Sequence, residues 1–172
     1  VIRDPTAYDI LEKILNVHGE YYSDYATSFE GLVSPKHYFD NSELLTSNWK
    51  EYSLKRSSTN YIKYYVSKSF NEIPFGYISD EQLPKNKQTL PLHKVYIPAA
   101  GGSGKDSMVL GKPFYGEPNS VCSQTYLVIG YDANKHKFNE LQCRNIIKYI
   151  QSRFFRYHVS LKKNNQNGPR GV

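Results

Sequence analysis

The stretch KVYIPAAGGSGKDSMVLGKPFYGEPNSVCSQTYLVIG, Lys94–Gly130, decides the fold. Its two ends, KVYI at 94–97 and QTYLVIG at 124–130, are rich in β-branched and aromatic residues and read as the two best strands. Glycines and prolines fill the space between them, so the reading is strand, loop, strand. The Gly-Gly-Ser-Gly-Lys run sits directly after the first strand, where a phosphate-binding loop would lie. A Walker A loop needs G-x-x-x-x-G-K and then a hydroxyl to ligate Mg²⁺. Here Ala99 stands at the first glycine and Asp106 at the hydroxyl, an anion that would repel a triphosphate. Pro113 arrives before a long helix could open. A G-x-G-x-x-G dinucleotide fingerprint also fails, because Ser107 follows Gly102 and Gly104 where the third glycine belongs.

Downstream, Asn139 has the capping chemistry to start a helix, and Gln142 stands at the third helical position of a capping box. Cys143, Ile147, Ile150, Phe154, Tyr157 and Leu161 then alternate four and three residues apart, predicting one long helix with a single apolar stripe. Its other side carries Lys148, Arg153, Arg156 and Lys163, with Lys162 beside them. That side suits phosphate contacts, or is an ordinary solvated helix face.

Upstream, Asp4 caps a predicted first helix with Pro5 at its first position and Ala7, Ile10, Leu11, Ile14 and Val17 on one face. An irregular polar region follows, with Trp49 as a lone large apolar anchor. NYIKYYVSK alternates Ile62, Tyr64 and Val66 against Lys63, Tyr65 and Ser67, predicting a half-exposed strand that FGYI could pair with. The fold class expected is mixed α+β: a small, mostly antiparallel sheet with an N-terminal helix and a long amphipathic C-terminal helix packed on it. The 172 residues form a single domain in this reading, a loop-rich half at 1–93 and a strand–loop–strand–helix half at 94–172. The start at Val1 without methionine suggests a piece of a longer chain.

Charge is uneven. Residues 135–172 hold nine Lys/Arg against the single Glu140, whereas residues 1–134 hold 13 against 15 acids. A local excess of that size favours a polyanion such as nucleic acid, through counterion release, or is a solvated basic face. No stretch approaches the roughly 18 apolar residues of a membrane span. Cys122 and Cys143 form no Cys-x-x-Cys or Cys/His cluster, the five histidines lack metal-ligand spacing, and no HExxH or GxSxG occurs. No acid is followed two residues later by Lys, so the E-x-K half of a common metal-dependent nuclease site is missing. No catalytic, cofactor-binding or metal-binding residue is assigned.

LGKPFYGEPNSVCSQTYLVIG (Leu110–Gly130), followed by NIIKYIQSRFFRYHVSLKKNNQNGPRGV (Asn145–Val172), resembles the carboxy-terminal specificity region of type II restriction-modification adenine DNA methyltransferases with TaqI-like target-recognition domains. Lys-Pro-Phe, Glu-Pro-Asn-Ser and Thr-Tyr-Leu-Val-Ile-Gly recur in order, and the likeness is dense over Lys94–Val172 and diffuse before it. The resemblance implies a DNA-reading module whose partners are double-stranded DNA and the methyltransferase domain of the same parent chain, at a bacterial cytoplasmic, nucleoid-associated location. In that family a separate domain binds S-adenosylmethionine and carries an Asn-Pro-Pro-Tyr motif, and neither that motif nor a cofactor loop occurs here. Lys148, Arg153, Arg156, Lys162 and Lys163 are then expected on phosphates. Ser103, Lys105, Ser107 and Lys112 are expected on a loop near base edges, the glycine run being otherwise a hairpin tip. Two alternatives stay open: an interaction module that docks an acidic protein or a subunit of a restriction complex, and a nucleotide-binding enzyme.

Overall fold

The computed structural model describes residues 32–66, 74–100, 110–130 and 137–162, with side chains through 160. The first helix expected over Asp4–Val17, the loop bearing Ser103, Lys105 and Ser107, and Lys163 lie outside the described residues, as does the side chain of Lys162. In chain order the described elements are β1 (Val33–Pro35), β2 (Ile62–Tyr65), β3 (Phe75–Ile78), a 3₁₀ turn at Lys87–Thr89, β4 (Lys94–Pro98), β5 (Phe114–Gly116), β6 (Ser120–Cys122), β7 (Tyr126–Ile129), α1 (Glu140–Gln151) and α2 (Arg153–Lys162). The mixed α+β class is as expected. The pairing is mostly antiparallel, also as expected, but it is divided between two sheets, ordered β1-β7-β4-β5 and β3-β2-β6, and the β2–β6 pair is parallel.

The two best sequence strands are the centre of the first sheet. β4 pairs antiparallel with β7, Tyr96 opposite Val128, and with β5, Tyr96 opposite Phe114. All five residues of β4 are buried, because the strand is covered on both faces. Val95, Ile97 and Ile129 face the helices and pack with Cys143, Ile150, Phe155 and Val159. Tyr96, Tyr126 and Val128 face the other way, into a core with Ile62, Tyr64, Val121 and Leu45. The period-2 alternation thus divides one strand between two hydrophobic clusters. The halves divided at residue 93 interleave in space, since β1 joins the later strands and β6 joins the earlier ones.

Several expectations are corrected. β2 is buried at Ile62, Tyr64 and also Tyr65, because Tyr65 lies against Tyr96 and Phe114 of the neighbouring sheet, with ring centroids 5.5 and 5.0 Å apart. Its antiparallel pairing with FGYI, now β3, holds from Ile62–Ile78 to Tyr65–Phe75. Trp49 is no lone anchor: its ring meets Tyr52 and Tyr64 at 6.3 and 5.4 Å, and Tyr38 and Leu45 are buried in the same cluster. β5 and β6 lie where only glycine- and proline-rich connection was expected.

The long C-terminal helix is two helices. Asn139 and Gln142 form the expected capping box at the start of α1, with both reciprocal bonds at 2.9 Å. At Ser152 the backbone is extended, with ψ 149°, and one residue ends α1 and starts α2. Its N–H donates to the Tyr149 carbonyl, its hydroxyl accepts from the Phe155 N–H at 3.1 Å, and its carbonyl accepts from the Arg156 N–H at 3.1 Å. The one-residue break turns the stripe, so that Phe155 and Val159 are buried while Phe154 is 50% exposed. Losing the hydroxyl removes a helix cap, worth about 1 kcal/mol. Ser152→Ala should lower the unfolding free energy by that amount, read in urea as a lower midpoint with an unchanged m-value, and Ser152→Asp should restore most of it.

Candidate functional site

The helix pair presents a basic surface because its apolar side is committed to the sheet. α1 lies on β4 and β5, anchored by buried Cys143 and Ile150 with Ile146 and Ile147 half-buried beside them. That leaves Lys148 and Arg153 exposed, whereas the break at Ser152 brings Arg156 to a half-buried position, where it is in contact with neighbours. Lys112 is exposed between buried Gly111 and Pro113, on the segment leading into β5. The fold therefore collects Lys148, Arg153 and Arg156 on one helix pair, and Lys162 ends the second helix.

Arg144 was not singled out from the sequence. Its guanidinium bonds the Glu140 carboxylate one helical turn earlier at 2.6 Å and lies over the Tyr115 ring at 5.1 Å. An exposed pair of this kind contributes little stability but fixes where the cation stands. Its signal in the sequence was the Glu-x-x-x-Arg spacing. Leu141, Tyr149 and Phe154 are 67, 42 and 50% exposed on the same two helices, so the surface mixes cations with apolar groups. Tyr64 and Tyr65 are core residues, whereas Tyr61 beside them is half-buried.

Beneath this surface the Gly111–Gly130 segment is a structural corner. Between β5 and β6 the chain passes from one sheet to the other through Glu117, Pro118 and Asn119. Glu117 accepts from Lys63 Nζ at 2.8 Å and from the Tyr65 hydroxyl at 2.6 Å. Burial alone would raise its carboxyl pKa, but these two bonds, with a backbone hydrogen bond and the Lys63 charge, together hold it below the ordinary value. Asn119 takes the left-handed conformation, φ 59°, which Asn tolerates better than most residues. Its N–H donates to the Leu90 carbonyl at 2.7 Å and its carbonyl accepts from the Lys63 N–H at 2.9 Å. Ser120 donates to the Glu117 carbonyl and bonds the buried Tyr96 hydroxyl. No family model, curated protein or solved structure matches the chain.

The histidine and cysteine chemistry is that of a packed interior. His37 lies beside a cleft of about 220 Å³ between β1 and β7. Its Nδ1 meets the Ser34 hydroxyl at 2.8 Å and its Nε2 the Thr89 hydroxyl at 3.2 Å. Thr89 donates to the Asn86 carbonyl at 2.8 Å and also meets the Tyr38 hydroxyl at 3.1 Å. Burial, with a smaller contribution from the Lys94 charge, lowers the His37 pKa to about 4. Burial likewise raises both thiols, Cys143 to about 11, so each is protonated and a poor nucleophile at neutral pH. Among the described residues no three His, Cys, Asp or Glu side chains are grouped to hold a metal.

A pH dependence follows with a definite sign. Unfolded His37 binds a proton below about pH 6.5, while the folded imidazole resists until about pH 4. Its contribution is fully present above 6.5 and is lost as pH falls toward 4, by about 3 kcal/mol at most. Urea denaturation at a series of pH values should show that acid slope, and His37→Gln should flatten it across this window.

Proposed function

We propose that this chain is the DNA target-recognition module of a restriction-modification adenine DNA methyltransferase. It would hold a separate, S-adenosylmethionine-binding catalytic domain in register on duplex DNA. Extruding an adenine costs a few kcal/mol of unstacking, so the enzyme must gain its hold on the duplex from contacts elsewhere. The observation that carries the reading is the exposed basic surface of α1 and α2, anchored through their apolar sides to a sheet built from the family-like segment. Lys148 and Arg153 are its best-placed phosphate ligands, with Arg156 supporting from a half-buried position. Lys112 stands exposed on the segment before β5, and it and the loop with Ser103, Lys105 and Ser107 are proposed to approach base edges. Lys162 and Lys163 would extend the phosphate contacts at the helix end.

A second reading has its own support. Leu141, Tyr149 and Phe154 are unusually exposed for apolar side chains on the basic helices, which suits a protein partner in a restriction complex. Salt separates the two, because phosphate neutralisation releases counterions and a mixed protein interface depends on salt far less steeply. Fluorescence anisotropy with a labelled duplex should give a steep linear fall of log affinity with log salt. Lys148→Ala combined with Arg153→Ala should weaken binding alike for all sequences and reduce the slope by about one for each phosphate no longer neutralised. An unchanged slope and affinity would remove the helices from the interface.

A further inference from the structure

The loop from Ser53 to Asn60, SLKRSSTN, is a second place where cations stand exposed, on a different part of the chain from the helices. Every residue from Leu54 to Thr59 is exposed, Leu54 to 79%. Between Glu51 and Glu72 the sequence has no acid, while Lys55, Arg56, Lys63 and Lys68 all occur there. Lys63 is bound to Glu117. Among the described residues Lys55 and Arg56 have no ion-pair partner.

The loop is fixed in shape. At its base Ser53 exchanges two backbone bonds with Tyr77 of β3, at 2.8 and 2.7 Å. Gly76 makes that approach possible, since a Cβ there would meet the Ser53 carbonyl oxygen at 2.9 Å and run into the Tyr52 ring. The Ser53 hydroxyl accepts from the Lys55 N–H at 3.1 Å and donates to the Lys55 carbonyl at 2.7 Å. At the far end the Ser57 N–H donates to the Asn60 carbonyl at 3.0 Å, and the Ser57 hydroxyl accepts from the Asn60 N–H at 2.9 Å. Side chains therefore close both turns, and little ordering remains to be done on binding.

We infer that the Ser53–Asn60 loop is a base-reading element that enters a groove of duplex DNA, with Arg56 as its specificity residue. The inference rests on the DNA-recognition reading above and adds a base-reading element on a surface that reading does not use. Charge complementarity selects a polyanion. Within that class, an Arg fork matches the O6 and N7 acceptors of guanine, an exposed leucine suits the thymine methyl, and Ser and Thr hydroxyls serve either base pair. The helices, by contrast, offer cations suited to phosphates.

The test uses the whole chain and selection from a pool of duplexes with a randomised core, followed by anisotropy on the selected and a shuffled duplex. Wild type should select a consensus. Arg56→Lys keeps the charge and loses the bidentate fork, so it should keep the salt slope and the affinity for shuffled duplex while losing about tenfold discrimination at one position. Leu54→Ala should relax a neighbouring position. These side chains are exposed, so the thermal midpoint should not move. An Arg56→Lys protein with the wild-type consensus and selectivity would overturn the inference, as would a wild type that binds duplex without any consensus. In the latter case the helix surface would still stand. A wild type that binds no duplex would overturn the proposed function itself, and this inference with it.

Discussion

The Lys94 ammonium is fully buried and directs its three donors at the carbonyls of Thr89, Leu90 and Leu92, at 3.0, 3.2 and 2.7 Å. Burying an ion costs several kcal/mol, recovered only where every proton finds a partner, and here all three do. Burial still lowers the pKa, to about 8, so the group remains charged at neutral pH and its desolvation is not fully offset. The consequence is geometric. The turn over residues 89–92 is locked to the first residue of the central strand β4. Its Leu90 carbonyl accepts from Asn119, and Asn119 in turn holds Lys63 at the start of the β2–β6 pairing. One buried charge thus links the middle strand of the first sheet, the corner between the sheets and the parallel pair of the second.

The same dependence fixes the corner between the two sheets. Glu117, Asn119 and Ser120 each satisfy a partner in another part of the fold, and Gly116 lies so close to the Tyr96 ring that a Cβ would collide with it. A crossing made in three residues between two sheets leaves few sequences that can make it, whereas an exposed loop accepts many.

The division between what was legible in the sequence and what was not has physical causes. β4 and β7 were legible because a strand buried on both faces must be rich in large β-formers, and the cap of α1 because Asn139 and Gln142 interact over three residues. The break at Ser152 was hidden because the apolar positions permit an unbroken stripe through Phe154 as readily as a shifted one through Phe155. Only the serine, a good cap and a mediocre helix former, carried the signal. β5 and β6 are three residues long, too short for a period to show. The burial of Tyr65 depends on rings more than 30 positions away in Tyr96 and Phe114, which no local pattern can express. For the candidate site, exposure of Lys148 and Arg153 was legible from helical spacing, while Arg156 was displaced by the break. The Lys55–Arg56 loop was missed because polar, aperiodic sequence reads only as connection, and its order comes from Ser53 and Ser57 bonding their own neighbours.

Two basic surfaces on one small scaffold need not duplicate each other. Cations on a helix keep rotamer freedom and see the duplex as a line of charge, so they add affinity evenly across sequences. An arginine fork that meets a base edge discriminates because the wrong base leaves its donors unpaired. The backbone differs: Ser53 and Ser57 close the turns of the loop, while Lys148 and Arg153 stand exposed on a helix surface. Under the proposed reading, the same sign of charge would hold the duplex at the helices and read it at the loop.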